Sequence, residues 1–426
     1  MGSTNQQTYR ALFAVPGFRR LCAASLLTRT GASMQALILV LFVLHRFGSP
    51  QLAGVTVFLS VVPGLLLSPL AGALLDRYRR MLLINADYAI AALSLVAIGA
   101  LNASGHLPVG LLLGIVAVSS LTNPLSNSGT RSLFPIMVPS PLWERANAVD
   151  SGGYVVASIA GPAVAGLLVG VAAVEVALLA NAALYLAGAS VLLAMREPEL
   201  ERATTTSLRR DALAGLGYFF RNRELRGLAL VTSISNISFG ILSVGMPVWL
   251  LSHLHTGDGS VGVMYAVTGV TGLCAGLVAG RLSSEGREAR FVVAGCVLTA
   301  LSMLAMLGGV AIGGGILVVA LAMALFGLGN GPFDIGMFSL RQRATAPVWM
   351  GRAFAISMSL NFLGMPIGSA LGGQIVARSV PAAFAVAVLV NVLATAVAVL
   401  MLRPGVRGPD GVAAALGTIA VRQPDS

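Results

Sequence analysis

Twelve runs of about 20 predominantly apolar residues succeed one another along this chain, each long enough to cross the hydrocarbon core of a bilayer as one helix. They fall near 18–44, 51–75, 81–101, 108–130, 148–172, 174–195, 226–251, 259–281, 291–309, 314–340, 353–377 and 381–402. Inside lipid no water satisfies backbone N–H and C=O groups, so consecutive spans of this length fold as helices. Composition excludes a soluble domain: hydrophobic residues fill 56% of 426 positions and charged ones only 10%, against about 25% in ordinary globular chains. The expected fold is an all-α membrane protein of twelve transmembrane helices. Its narrowest divisions are at 171–177, where Glu175 is the one charge, and at Pro381.

Arginine placement sets the direction of the spans. All 27 basic residues are arginine, and the net charge is +11. A nucleic-acid binder would gather them on one face; here they sit in short gaps between apolar runs, so no nucleic-acid partner is expected. One set of alternate gaps, with the termini, holds Arg10, Arg19 and Arg20, then Arg77, Arg79 and Arg80, then Arg131 and Arg145. It continues through the central linker to Arg281, Arg287 and Arg290, to Arg341, Arg343 and Arg352, and into the tail. The other set holds Arg46 and Arg378. Arginine accumulates on the cytoplasmic side, so both termini are expected in the cytoplasm of a cell-membrane protein. The organisation that follows is a cytoplasmic N-terminus at 1–17, six helices over 18–195, a charged cytoplasmic linker at 196–225, six helices over 226–402 and a tail at 403–426. The first apolar run is too long for a signal-peptide core and lacks a small-residue cleavage site, so it is expected to stay as the first span.

The two halves repeat at an offset of about 207. Asn123 maps to Asn330, Ser132 to Ser339, Arg145 to Arg352, and Gly161 and Gly166 to Gly368 and Gly373. Earlier the offset becomes 208, taking Gly64 to Gly272 and Gly72 to Gly280. Rare Asn, Arg and Gly held in register imply two six-helix repeats. Small residues recur every fourth position on helices 2, 5, 8 and 11, as in Ser60, Gly64, Ser68 and Gly72, and in Gly364, Gly368 and Gly372. Such stripes let backbones approach closely in lipid and suit a sliding interface. Polar residues select another set: Arg29, Ser33 and Gln35 on helix 1, Asn123 and Asn127 on helix 4, Ser235 and Asn236 on helix 7, Asn330 and Asp334 on helix 10. Polar groups are costly against lipid, so these helices are expected to line a wet interior.

Three motifs carry a family resemblance over essentially residues 15–403. The loop GlyAlaLeuLeuAspArgTyrArgArg at 72–80 resembles the Gly-x-Leu-x-Asp-Arg-x-Gly-Arg-Arg loop of the major facilitator superfamily, with Arg79 in place of a usual Gly. Its counterpart after helix 8 is degenerate, with Ser284 where the Asp would stand and Arg287 retained. GlyProAlaValAlaGly, with Gly161, Pro162 and Gly166, resembles the helix 5 element of proton-coupled exporters, Ala165 replacing one Gly. The loop from Arg131 to Pro139, followed by LeuTrpGluArgAlaAsnAla at 142–148, is similar to that of the branch with siderophore and macrolide exporters. The resemblance implies a monomeric, secondary-active transporter in the lipid bilayer, exporting a small-molecule substrate with protons as the coupling ion and no cofactor.

Following the family, Asp76 is expected to meet Arg131 and the N-terminus of helix 11, where the helix dipole favours an acid. With Arg77 and Arg80 it would form a cytoplasmic gate, and Asp150 or Glu144 are other partners for Arg131. Arg29, about ten residues into helix 1, carries a charge at a depth that is costly unless paired or wet. It binds an anionic part of the substrate or pairs with an acid and tunes its protonation. Asp334 is the first candidate for a proton-accepting carboxylate, although Arg341 seven residues on makes a gate pair the other reading. Asp87 and Glu175 come behind it. His45, His106, His253 and His255 all fall near the external side. No third ligand accompanies His253 and His255, and Cys22, Cys274 and Cys296 have no metal-ligand spacing, so no metal site is expected. The chain has no nucleotide-phosphate loop, which argues against an ATP-driven pump. Three competing readings are a proton-coupled uptake symporter, a polytopic membrane enzyme, for which no converging catalytic groups are visible, and a non-transporting sensor.

Overall fold

The computed structural model describes residues 8–195, 216–282, 286–346 and 350–402, without the side chains of 76, 135, 144, 350–355, 358 and 359. The expected linker therefore lies largely outside the described residues, as do the tail and Ser284. A short helix, Tyr9–Ala14, precedes the spans. They are α1 (Phe18–Phe47), α2 (Pro50–Leu59 continued by Val62–Arg77), α3 (Arg80–Ala103), α4 (Val109–Met137), α5 (Trp143–Val171) and α6 (Val174–Leu193). After the linker come α7 (Arg223–Val248, continued by Trp249–His253), α8 (Gly259–Arg281), α9 (Glu288–Ala311), α10 (Ile316–Arg343), α11 (Met350–Val376) and α12 (Val380–Met401). Eleven of these are long and apolar enough to span a bilayer. The remaining one, α11, is a 27-residue helix, so the count of twelve is approximately met.

Local chemistry explains the breaks. Gly48 ends α1 at φ 59, a left-handed conformation that suits glycine, and returns its N–H to the Leu44 carbonyl. Ser49 then caps α2 by accepting from Leu52 N at 3.2 Å, with Pro50 in the first turn where no N–H is needed. Pro63 interrupts α2 after Leu59, because its ring excludes the carbonyl four residues back. In α7 the turn Trp249–His253 is a π-helix, closed by Leu254 N to Trp249 O at 3.0 Å.

Contacts divide the chain into two compact units. One comprises Met1–Thr204 with Leu242–Gly269 and Ser369–Val380; the other comprises Thr205–Ile241, Val270–Gly368 and Pro381–Ser426. In the first, α1 packs on α5 and α6, and α3 on α4 and α6. In the second, Leu228, Val231, Val292, Cys296, Leu340 and Ala394 form a core between α7, α9, α10 and α12. Large apolar side chains such as Leu66, Leu93, Leu317 and Leu389 remain more than 60% exposed. That surface suits hydrocarbon rather than water.

The repeat is visible in packing. A Cβ built on Gly161 would meet Thr30 O at 3.0 Å, and one on Gly368 would collide with Ile237 O, each pair related by the 207-residue offset. The last helix of each half buries one asparagine completely, Asn181 on α6 and Asn391 on α12. Asn391 donates to Ser238 Oγ at 2.5 Å. The position equivalent to Ser238 is Gly31, beside Asn181, and there neither amide atom of Asn181 finds a partner. Asn391→Ala is expected to destabilise the protein by about 1 kcal/mol more than Asn181→Ala, the usual size of one interhelical hydrogen bond in a membrane. Denaturant unfolding in mixed micelles measures the difference; equal losses would refute it.

Candidate functional site

Arg29 and Asp150 come together in the first unit. Arg29 sits in the fourth turn of α1, and α1 packs closely on α5, where Gly161 meets Ser33 and the Thr30 carbonyl. Arg29 Nη2 lies 2.7 Å from Asp150 Oδ1, and Nη1 donates to the Asp150 carbonyl at 2.9 Å. Each side chain retains 16% exposure, toward a cavity of about 90 Å³ lined by Cys22, Ser25, Leu26, Phe134, Val149 and Gly153 as well as the pair. At about 30 Å³ per water, this space suits a few waters rather than an organic cargo. The sequence placed Asp150 at the cytoplasmic gate beside Arg131. The fold engages it with Arg29, and Arg131 is exposed.

The other cavity candidates spread over both units. Gln35 Oε1 accepts from Tyr185 OH at 3.0 Å, Ser33 packs where a Gly161 Cβ would stand, and Asn123 Nδ2 reaches Ser60 O at 3.5 Å beside the α2 break. Asn127 is exposed. In the second unit Ser235 Oγ lies 3.8 Å from Cys296 Sγ, and Asn236 donates to Asn361 O at 2.8 Å. Asn330 is half-buried on α10, whereas Asp334 is exposed there. Of the gate residues, Arg77 lies over the Tyr78 ring at 6.0 Å and Arg80 donates to Leu75 O at 3.3 Å and Ser132 O at 3.4 Å. Asp76 is helical at the end of α2, and its side chain is outside those described.

Glycine contacts join the arginine-poor ends of helices within the first unit. A Cβ on Gly166 would strike Gly262 of α8, and one on Gly54 would strike Ser369 O of α11. Nearby, His45 Nε2 lies 2.6 Å from Asp258 Oδ1. Asn102 donates to Glu175 at 2.9 Å. These four residues, with Arg46, Phe42 and Val169, border a cavity of about 410 Å³.

The sequence profile of the Major Facilitator Superfamily matches residues 21–364 and, in a second alignment, 228–421. The chain is 37% identical over 403 residues to the uncharacterized MFS-type transporter y4rN of Sinorhizobium fredii, covering 94% of this chain and 98% of that protein. The chain belongs to the major facilitator superfamily. A more distant relative, macrolide efflux protein A of Streptococcus pyogenes, is 23% identical over 353 residues, covering 81% of this chain and 85% of that protein. Among solved structures, a bacterial homologue of the human lysosomal transporter Spinster, inward-facing and unoccupied, superposes with a TM-score of 0.72 at 12% identity. The match covers 90% of this chain and 96% of that one, and it shows the shared fold of a multi-pass membrane transporter.

Two groupings of this superfamily member were not legible as sites in its sequence. Arg341, fully buried, faces Asn361: with the amide oriented to satisfy both sides, Asn361 Oδ1 accepts from Arg341 Nη2 at 2.6 Å. Glu288, 1% exposed at the start of α9, accepts from Arg343 Nε at 2.9 Å. In sequence, the family loop after helix 8 carries Ser284 where the acid would stand. The charge run Arg287–Glu288–Arg290 was the signal that an acid stands four residues later.

Proposed function

We propose that this chain is a proton-coupled exporter of a small amphipathic molecule, working by alternating access as a monomer in the cell membrane with both termini cytoplasmic. The observation that carries the reading is the Arg29–Asp150 pair beside a water-sized cavity. Ionisable residues within spans are rare and mark ion and substrate paths. A carboxylate that can be neutral or paired gives such a path two states. Export rather than uptake is favoured by the similarity to macrolide efflux protein A. In this reading Arg29, Ser33, Gln35, Asn123, Asn127, Ser235, Asn236 and Asn330 serve the cargo route, and Asp334 remains a candidate carrier. Asp76, Arg77, Arg80 and Arg131 close the cytoplasmic side. Expression in a strain stripped of its own pumps, followed by accumulation assays with a macrolide, a siderophore and amphipathic dyes, tests it. Lower accumulation of at least one compound is expected, and unchanged or raised accumulation throughout counts against export.

On the external side the same reading makes His45–Asp258 a latch that reinforces the glycine contacts. Asp258→Asn should loosen it by about 1 kcal/mol, the upper range for a partly exposed pair. A cysteine placed at Ala173, in a background lacking Cys22, Cys274 and Cys296, should then react about fivefold faster with an impermeant maleimide. Unchanged labelling would remove the latch.

A further inference from the structure

We infer that Asp87, on α3, is a proton-carrying carboxylic acid of the first unit; the inference rests on the proton-coupled reading and names a carrier for it. Asp87 lies seven residues into α3 and is 2% exposed. Its Oδ1 meets no hydrogen-bond donor, and among the described residues no basic side chain stands beside the carboxyl group. An ionised carboxylate in that position would be desolvated with two hydroxyls and no cation to offset it, which costs more than keeping the group neutral.

The hydroxyls around it suit an acid that gains and loses its proton. Thr122 and Ser126 of α4 face the carboxyl group. Each hydroxyl has one proton, and each donates it within its own helix, Thr122 Oγ1 to Ser119 O at 3.1 Å and Ser126 Oγ to Asn123 O at 3.2 Å. A hydroxyl rotates, so each can accept from the protonated acid or turn its own proton onto the carboxylate, which suits a group that must exist in both forms. The ionisable neighbours are Tyr88 on α3 itself and Tyr185 on α6; Arg29 on α1 lies by Tyr88. Tyr88 OH is 3.1 Å from Thr28 Oγ1 and 3.5 Å from Thr130 Oγ1, which ties α3 to α1 and α4. Thr28 adjoins Arg29, itself engaged by Asp150. Loss of the Asp87 proton would therefore be felt through one shared wall by the Arg29–Asp150 pair.

The repeat supplies a control. The helices α3 and α9 have the same length, 24 residues, and correspond at an offset of 208. Asp87 then maps to Gly295, which packs against Phe333 and Gly329 O. The second half builds the same helix without an acid at that position, so the fold does not require one there. In the step proposed, the carboxyl O–H bond breaks, the proton passes to water as α3 and α4 rearrange, and the carboxylate remains until reprotonated.

Infrared spectroscopy of the full-length protein in lipid films tests this without a known cargo. The wild type should show at neutral pH a carboxylic-acid carbonyl band that vanishes reversibly as the pH is raised. Asp87→Asn should lack that band, and Asp87→Glu should displace it. A spectrum unchanged in Asp87→Asn, an undisplaced band in Asp87→Glu, or a band indifferent to pH while the protein stays folded overturns the assignment. In vesicles, Asp87→Asn should lose gradient-driven accumulation and keep cargo equilibration. If wild-type vesicles accumulate cargo under a proton gradient while the band survives in Asp87→Asn, only this residue is wrong. If the band follows Asp87 but accumulation ignores the gradient, the coupled reading fails and the carrier role with it.

Discussion

Arg29→Gln is expected to lower transport at least about tenfold, equivalent to about 1.4 kcal/mol of differential stabilisation between states. The reason is the 2.7 Å contact with Asp150. Breaking a fully buried pair costs about 3–5 kcal/mol because one charge is left behind; 16% exposure on each side lets water from the adjoining cavity lower that figure. Asp150→Asn should give a similar loss. The double change Arg29→Met with Asp150→Leu separates structure from mechanism. Replacing both charges by apolar groups should restore folded yield, since neither charge is orphaned, yet leave transport low. If the double variant transports at the normal rate, the pair is a strut and the proposed coupling path does not run through it.

The second large effect concerns glycines that look alike in sequence. Gly368→Ala should destabilise the protein by about 1–3 kcal/mol, the usual cost of overpacking, because its added methyl would land on the Ile237 backbone. Gly64→Ala should behave likewise against Ser120 O of α4. Gly72, on the same stripe as Gly64, has nothing within 4 Å of an added Cβ, so Gly72→Ala should be neutral or stabilising by up to about 1 kcal/mol. Thermal unfolding in detergent, with transport measured in parallel, ranks the three. Equal effects at Gly64 and Gly72 would contradict the packing described.

That contrast shows what a sequence of this kind reveals. Span number, family and repeat were legible because lipid imposes length and composition on every helix. The stripe on α2 was legible as small residues, but Gly64 meets α4 and Gly72 meets nothing. Only three-dimensional neighbours separate them. Arg29 was legible as a charge that needs a partner. Its partner was not, because Asp150 is 121 residues away and reads equally well as a loop acid near Arg131. Asp87 ranked behind Asp334 for a similar reason: α10 carries the visible polar residues, whereas the burial of Asp87 depends on α4 and α6 closing over α3. Glu288 was hidden by a motif that expected its acid four residues earlier.

The central claim, export driven by proton antiport, is tested most directly in proteoliposomes with an imposed pH difference and a compound whose accumulation the protein lowers in cells. Accumulation inside acid-loaded vesicles, abolished by collapsing the gradient, is the predicted result, and it holds for either orientation of the protein in the bilayer. Accumulation only when the outside is acid would show symport, and accumulation indifferent to the gradient would show that protons do not drive the cycle; either contradicts the account.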